Sequence, residues 1–424
     1  MREHSASSGF GFLYLAIMCA VAALGSTVRA AAADWPQFRG PNRDGKAGKG
    51  PALLKAWPEG GPKQLWVNDA LGEGYASAAI ADGRIYITGM EGNEGFLYAL
   101  DLDGKQQWKT SYGKDWEGGY RGARTTPTVR NGKVYLMSGY GKAACYDAKT
   151  GAEIWAVDTM ATFGAVNITW GITESPLVLE DLAIFTPGGP KAGMVALNPK
   201  TGETVWICAE FGDPSGYCSP ILITHGGRKI IVQLTGTTLV GIAADTGKLL
   251  WRETRAPVPS YNIQATAPVY ADGRIYVTSG YGGARGEMYL LSEDGASVKS
   301  TWRDSALDCH HGGLVLLDGL IYGAADGNNR NQWVCLKLET GEVVAKTGAV
   351  GKGSLAFADG MLYTLGEQGL MGLVDPDVNN FHMVSSFKIP GGGSGPHWAH
   401  PSIADGRLYI RHGTRLFAYD IKAE

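Results

Sequence analysis

The sequence predicts an all-β protein: an eight-bladed β-propeller of four-stranded antiparallel blades, closed by an N-terminal strand. Three observations predict this fold, namely a repeat of forty-odd residues, several strand-and-turn units in each repeat, and incomplete repeats at both ends of the chain. Turns before a second strand recur 41 to 50 residues apart, at Gly83, Gly132, Leu182, Gly227, Gly273, Gly319, Gly360 and Gly406. A period of this length is typical of propeller blades.

Residues 124–155 show what one repeat contains. Short segments rich in β-branched or aromatic residues alternate with turns such as Asn131-Gly132 and Thr150-Gly151. Gly and Asn supply the positive φ that tight turns need, so the segment reads as four strands joined by short turns. A sheet this small cannot bury both faces alone, and we therefore expect neighbouring repeats to stack on it.

Residues 1–33 are predicted to be a signal peptide. Arg2 precedes an apolar stretch at 10–24, and small residues follow at 28–33. This order is that of a secretory signal, although the apolar stretch lies near the lower limit for spanning a bilayer and an uncleaved anchor stays open. Cys19 follows a methionine, which argues against lipid attachment there. We expect an exported protein, periplasmic or extracellular, without stable membrane insertion.

The two ends of the remaining chain are predicted to meet in the last blade. Residues 34–62 are too rich in Pro and Gly for sheet, and we expect an irregular lead-in over the bottom or side of the ring. Residues 63–67 resemble a fourth strand with no blade before it, whereas the eighth repeat stops at residue 422, before a fourth strand. We expect residues 63–67 to complete that blade, so that 63–424 form the propeller without open edges.

Tryptophan marks the predicted fourth strands. Five of these strands end on a tryptophan, at Trp108, Trp155, Trp206, Trp251 and Trp302. Two more fourth strands are weaker, near Val344 and Phe387.

Charge and cysteine content exclude some classes of protein. The net charge of −3 argues against a nucleic-acid or anionic-membrane partner, since both require a basic face. Cys145 and Cys335 hold positions that other repeats fill with small residues, so both are predicted to be buried core residues. Cys208 and Cys218 flank one loop, and a disulfide between them is left open. We expect a monomer.

The two faces of the predicted ring differ in their loops. Connections into each first strand and between second and third strands emerge on one face, where the loops are long; the other face has minimal turns. Because first strands line the channel, polar and aromatic residues of the long loops should converge at its mouth. The alternative is a polar rim around a water-filled funnel. The predicted ligand-binding residues are Trp116, Arg121, Arg124, Trp170, Glu174, Tyr217, Gln264, His310, His311, His397, Trp398 and His400.

Three kinds of site could use these side chains. Neighbouring residues on a strand point to opposite faces, so at most one of His310 and His311 is expected to face the channel, and we expect no metal site. Acid–base catalysis by His with Glu174 or Asp308 stays open, because no spacing pairs them. Tryptophan with Arg, Asn and Gln suits a sugar, a peptide or an anionic small molecule. The predicted partner is thus a small-molecule, glycan or protein ligand at the loop-rich face.

The third turn carries a recurring motif, Asp-x-x-Thr-Gly-x-x-x-Trp at 147–155 with a shorter version at 245–251. This motif resembles the pyrroloquinoline-quinone-type repeat of quinoprotein dehydrogenases and of the propeller lipoprotein of the outer-membrane β-barrel assembly machinery. The resemblance extends from about Trp35 to the C-terminus and implies the propeller fold. Quinoprotein alcohol dehydrogenases also carry a Cys-Cys pair and a Glu/Asn/Asp calcium set. Neither is recognisable here, so we expect no cofactor, and pyrroloquinoline quinone with calcium lacks support.

Three functions fit these features. The first is an exported binding or scaffold propeller without catalysis. The second is a secreted carbohydrate-active enzyme, a lyase or hydrolase that uses funnel histidines and acidic residues. The third is a quinone-dependent oxidoreductase.

Overall fold

Thirty-two strands and one short helix, α1 (Thr159–Phe163), make up the described part of the chain. A computed structural model describes residues 1, 33–255, 263–281, 285–326, 331–348, 350–379 and 381–423. The predicted signal peptide, residues 1–33, lies outside these ranges except for its first and last residues. Within them, no helix has the length and apolarity needed to cross a membrane.

Four-stranded antiparallel sheets follow one another along the chain as blades, and in seven of the eight the order of strands in the sheet is the order in sequence. The first four blades comprise β2 (Ala79–Ala81), β3 (Arg84–Glu91), β4 (Glu94–Asp101) and β5 (Gln106–Lys114); β6 (Thr128–Arg130), β7 (Lys133–Met137), β8 (Lys142–Asp147) and β9 (Glu153–Asp158); β10 (Leu177–Val178), β11 (Ala183–Phe185), β12 (Met194–Leu197) and β13 (Thr204–Cys208); and β14 (Ile221–His225), β15 (Arg228–Leu234), β16 (Thr238–Ala243) and β17 (Leu249–Thr254).

The next three blades follow the same plan, and the eighth holds three strands of its own. These blades comprise β18 (Val269–Ala271), β19 (Arg274–Val277), β20 (Gly286–Leu291) and β21 (Val298–Asp304); β22 (Leu314–Leu317), β23 (Leu320–Ala324), β24 (Trp333–Lys337) and β25 (Val343–Thr347); β26 (Gly353–Ala358), β27 (Met361–Gly366), β28 (Leu370–Val374) and β29 (Met383–Lys388); and β30 (Ser402–Ala404), β31 (Arg407–His412) and β32 (Arg415–Asp420).

The N-terminal strand closes the ring. Strand β1 (Lys63–Asn68) pairs antiparallel with β32, with Lys63 opposite Asp420 and Asn68 opposite Leu416. The eighth blade thereby gains its fourth strand, and the outer edge of β32 is covered. The prediction of an eight-bladed propeller closed by an N-terminal strand is confirmed.

At five of the eight blade junctions, a tryptophan of the fourth strand packs on the next blade. The ring of Trp108 in β5 lies over Gly151, the third-turn glycine of the following blade, and a Cβ on Gly151 would lie 2.6 Å from the indole. The indole Nε1 donates to the carbonyl of Ala148 in the same turn at 3.3 Å. The same packing of indole on glycine occurs in the pairs Trp66–Gly104, Trp108–Gly151, Trp155–Gly202, Trp206–Gly247 and Trp302–Gly341.

These tryptophans do not end their strands, as the sequence had led us to expect. Trp108 is the third residue of β5, which runs on to Lys114. The strand continues because residues beyond the indole still pair with β4, up to Lys114 opposite Glu94. The tryptophan is placed by the neighbouring turn on which it packs, whereas the end of the strand is set by the length of its partner.

The N-terminal lead-in follows the expected course over the bottom of the ring in its second half, where Leu53 N donates to the carboxylate of Asp359, in the turn between β26 and β27, at 2.8 Å. Its first half, residues 35–47, lies within the channel, which the sequence did not predict. It pairs with first strands that line the channel: Trp35 N donates to Ile80 O at 2.9 Å, and Ala47 N donates to Phe357 O at 2.8 Å. In β6, Val129 N donates to the carbonyl of Pro36 in the lead-in. Backbone groups at the inner edges of the blades are thereby satisfied.

Two buried arginines hold the lead-in in place. Arg43 donates to the carbonyls of Ser175 at 2.7 Å, Pro176 at 3.0 Å and Pro220 at 2.8 Å, and Arg39 donates to the carbonyl of Leu314. A guanidinium offers five donors in a fixed fork, which lets one side chain satisfy several carbonyls. Burial lowers the pKa of each arginine to about 10, so both stay charged at neutral pH.

The cysteines within the described residues are all buried and free. Cys145 and Cys335 are fully buried between blades, as predicted from their positions in the repeat. The disulfide left open between Cys208 and Cys218 is not formed in this structure.

Loss of the closing strand should lower stability. A chain that begins at Asn68 lacks β1, whereas a chain that begins at Pro62 lacks only the lead-in and retains it. We expect the shorter chain to melt at a lower temperature and over a broader range, because the edge of β32 is exposed. Thermal unfolding followed by circular dichroism measures this difference. Identical melting of the two chains would show that β1 does not stabilise the ring.

The packing of indole on glycine can be tested within the second blade. Gly132 and Gly151 both have left-handed φ, 70° and 75°, but a Cβ on Gly132 would meet no atom within 4 Å. Gly132→Ala should cost only the left-handed strain, about 1–2 kcal/mol. Gly151→Ala should cost about 1–3 kcal/mol more, since the methyl group displaces the Trp108 ring. Urea unfolding of both variants gives the comparison, and equal destabilisation would argue against a close blade contact.

Candidate functional site

A cavity of about 400 Å³ lies at the mouth of the channel, on the face with the long loops. Residues from seven of the eight connections that lead into a first strand line it, which is why chemically diverse side chains meet at one point. Phe38 of the lead-in also lines the cavity, and its ring lies 4.9 Å from that of His400. The lead-in occupies the channel below the cavity and forms its floor, so the cavity is a pocket and not an open channel.

Seven of the twelve predicted site residues line this cavity. They come from five different connections and include both aromatic and basic side chains. The seven are Arg124, Trp170, Tyr217, His310, His311, Trp398 and His400.

Five predicted residues lie outside the cavity lining, and two of them belong to the loop of the second blade. The ring of Trp116 lies 5.6 Å from that of Tyr140 and packs against Gly171, so it supports the loops behind the wall. Arg121 is exposed and pairs with Glu73 at 3.2 Å.

The other three are buried behind the lining. Glu174 accepts a hydrogen bond from Thr186 N at 2.9 Å, and burial raises its pKa to about 7. Gln264 donates to the carbonyl of Thr235 at 2.8 Å. His397 stacks on His412 with ring centroids 3.7 Å apart. These polar side chains hold loops together rather than face the cavity.

Four aromatic lining residues were missed by the sequence-based prediction: Phe38, Tyr75, Tyr120 and Tyr281. Tyr75 belongs to a connection into a first strand, the kind of loop from which the predicted residues were chosen, so its position was a usable signal. Tyr120 lies in the same loop as the predicted residues Trp116 and Arg121, so its position was a usable signal as well. Phe38 could not have been found, because nothing in the sequence places the lead-in inside the channel.

One wall of the cavity is a cluster of rings around Trp398. The Trp398 ring lies 4.7 Å from Tyr120, 5.1 Å from Tyr75 and 5.2 Å from His311, measured between centroids. Tyr120 is 54% exposed despite its apolar ring. Exposed aromatic faces at a cavity rim offer flat apolar surface to a ligand.

Arg124 is a charged lining residue beside this ring cluster, with its guanidinium carbon 5.9 Å from the centroid of the Tyr75 ring. Its Nη2 donates to the carbonyls of Gly119, at 2.9 Å, and Tyr120, while its Nε has no hydrogen-bond partner. Burial lowers the pKa of Arg124, yet an arginine remains charged at neutral pH. No Asp or Glu is among the described residues that line the cavity, so its lining carries positive charge.

A charged network lies behind the histidine side of the cavity. His311 Nε2 lies 3.2 Å from Glu367 Oε1, and Lys352 Nζ lies 3.4 Å from the same oxygen. Lys352 also contacts Asp326 at 3.2 Å, and Trp398 Nε1 donates to Glu367 at 2.9 Å. Burial alone would raise the pKa of Glu367, but His311, Lys352 and Trp398 outweigh it and lower that pKa to about 2.

Both His310 and His311 line the cavity, so the expectation that at most one would face the channel is wrong. The reason is that residues 305–313 form no strand, and the alternation of side chains does not apply. His310 Nε2 contacts the Tyr281 hydroxyl, and burial lowers the pKa of His310 to about 2, which keeps it neutral. Candidate ligand atoms of His310, His311 and Glu367 lie within 4.8 Å of one another.

The carboxyl that pairs with a cavity-lining histidine is Glu367. Glu174 is buried behind the lining, and the Asp308 carboxylate accepts a hydrogen bond from Asp326 N at 3.0 Å. Neither residue lines the cavity.

Comparison of sequences finds two kinds of relative, an outer membrane protein assembly factor and quinoprotein dehydrogenases. The outer membrane protein assembly factor BamB of Burkholderia pseudomallei is 29% identical over 275 residues, which cover 61% of this chain and 62% of the relative. The quinoprotein alcohol dehydrogenase PedH of Pseudomonas putida is 28% identical over 192 residues, 43% of this chain and 30% of the relative. The matched region thus spans less than two thirds of each relative.

Comparison of structures finds the same fold. The crystal structure of BamB from Moraxella catarrhalis superposes with a TM-score of 0.61 at 13% identity, covering 85% of this chain and 98% of that one. The quinohemoprotein alcohol dehydrogenase from Comamonas testosteroni gives 0.62 at 13% identity, covering 92% and 81%. Residues 93–347 match the family model described as "Outer membrane protein assembly factor BamB". The match covers more than half of the chain, which therefore belongs to this family of pyrroloquinoline-quinone-type repeat propellers.

Proposed function

We propose that this chain is an exported binding propeller that holds a small, hydroxylated ring compound with an acidic group, such as a sugar acid. One observation carries the proposal: seven aromatic side chains from separate segments face one floored cavity whose described lining contains a half-buried arginine and no carboxylate. Export rests on the signal peptide predicted for residues 1–33.

The cavity has the size and lining of a small-molecule site. Its volume lies within the range of about 300–1,000 Å³ that is usual for such sites. Aromatic rings supply flat apolar faces, and hydroxyl groups between them supply directional hydrogen bonds. The hydroxyl groups among the lining residues, apart from tyrosine, belong to Ser77, Thr126, Thr173, Ser175 and Ser219.

The acidic group of the ligand is inferred from Arg124. Its side chain is half-buried and uses backbone carbonyls as partners, and its buried Nε has no hydrogen-bond partner. A cation with a free donor and no ion pair to a carboxylate favours an anion, because charge-assisted hydrogen bonds between guanidinium and carboxylate are strong.

The residues present do not fit a quinone with calcium, although several relatives are named as quinoproteins. Calcium takes six to eight oxygen ligands, mainly carboxylates and carbonyls. The described lining residues include no Asp, Glu, Asn or Gln. We derive no oxidation step for this chain.

Binding is also better supported than acid–base catalysis by His with Glu174 or Asp308, since neither carboxyl lines the cavity. The name of the BamB relatives raises a protein partner as an alternative ligand. The cavity favours a small molecule because it is concave and has a floor.

Calorimetric titration with glucuronate, galacturonate, glucose and galactose tests the proposal. We expect the sugar acids to bind more tightly than the neutral sugars, and Arg124→Gln to abolish that preference. Trp170→Ala should weaken binding by about 1–3 kcal/mol through loss of a stacking face. Trp302→Phe is the matched control, because Trp302 lies in the outer strand β21.

Two results would contradict this proposal. Absence of saturable binding for all four sugars would exclude the ligand class. Unchanged affinity in Trp170→Ala, with folding intact by circular dichroism, would place the binding site elsewhere.

A further inference from the structure

We propose that His310, His311 and Glu367 form a transition-metal site of the zinc type in the wall of the cavity. The site is independent of the sugar acid proposed above, since metal binding can be measured without any organic ligand. It also replaces the expectation of no metal, which depended on opposite orientations of the two histidines.

The spacing of the ligand atoms supports this site. Ligand atoms around a tetrahedral zinc ion, each about 2.0–2.2 Å from the metal, lie about 3.4 Å from one another. His311 Nε2 and Glu367 Oε1 are already 3.2 Å apart. One ring nitrogen of each histidine and one oxygen of Glu367 lie within 4.8 Å of one another, so no pair exceeds the tetrahedral spacing by more than about 1.4 Å.

Unsatisfied nitrogens point to a missing partner. His310 Nδ1 and His311 Nε2 are buried and have no hydrogen-bond partner, and the approach of His311 to Glu367 is at ion-pair distance without hydrogen-bond alignment. Buried polar atoms in native proteins are nearly always satisfied by protein, water or an ion. Two orphan imidazole nitrogens beside one carboxylate are what a bound metal ion would satisfy.

The donor set selects the class of metal. Two imidazoles and one carboxylate suit zinc and other first-row transition metals, whereas calcium and magnesium prefer all-oxygen sites. Both histidines line the cavity, so a metal with three protein ligands would keep an open position toward it.

Neighbouring residues support two of the ligands. Tyr281 contacts His310 Nε2 and leaves Nδ1 available. Trp398 Nε1 donates to Glu367 Oε1 at 2.9 Å and orients the carboxylate. Outer contacts of this kind fix the ring orientation of metal ligands, and their loss lowers metal affinity about 10–100-fold.

The ammonium group of Lys352 competes with a metal ion for the Glu367 carboxylate. This group lies 3.4 Å from that carboxylate and repels a metal there. It also lies 3.2 Å from Asp326, so it keeps an acidic partner when Glu367 turns toward a metal. Removal of the lysine charge should therefore strengthen metal binding.

The experiment is titration of the chelator-treated, purified chain with Zn²⁺ by calorimetry, and with Co²⁺ by visible absorbance. We expect one equivalent to bind and Co²⁺ to develop ligand-field bands. His310→Ala and His311→Ala should each lose more than the about 10–100-fold typical of outer contacts. Glu367→Gln should also weaken binding, and Lys352→Met should tighten it.

His225→Ala is the control, because His225 lies on the opposite face and contacts Tyr270 and Ser292. His311→Gln replaces His311→Ala if the alanine variant fails to fold. Lack of stoichiometric Zn²⁺ binding by the wild-type chain would overturn the proposal. Equal binding by the wild type and by the His310→Ala and His311→Ala variants would overturn it as well.

Discussion

The packing of a fourth-strand tryptophan on the third-turn glycine of the next blade is the contact on which the ring depends. It joins each pair of blades in which it occurs by both apolar contact and a hydrogen bond, as Trp155 shows with Gly202 and the carbonyl of Pro199. Only glycine suits the turn, because its φ is left-handed and a Cβ would enter the indole. Trp66 in β1 makes the same contact with Gly104, so the closing strand also joins the eighth blade to the first.

Closure of the ring creates a channel lined by backbone groups, and the lead-in fills it. Arg39 and Arg43 are almost fully buried, and they carry positive charge into the middle of the protein. Desolvation of a guanidinium is costly, and hydrogen bonds offset it: Arg43 donates to three carbonyls, while Arg39 donates to the carbonyl of Leu314 and contacts His400. The filled channel supports the loops above it, and Phe38 forms part of the cavity floor.

The cavity combines two kinds of chemistry around the ring of Trp398. Arg124 offers a half-buried cation beside Tyr75, while His311 leads to the charged network of Glu367 and Lys352. An anionic ligand between them could satisfy Arg124 with its acidic group and reach a metal at the histidines with a hydroxyl oxygen. The two proposals would then describe one site, although each can fail without the other.

The sequence by itself determined the blade count, the closure by residues 63–67 and the face that carries the cavity. Repeat spacing and turn glycines are local properties, so they can be read without coordinates. Seven of the predicted site residues line the cavity because strand order alone decides which loops meet at the channel mouth. Only the tertiary structure placed the lead-in inside the channel and brought both His310 and His311 to Glu367. Both outcomes depend on segments without regular secondary structure. In such segments the sequence has no periodicity that predicts which way a side chain points.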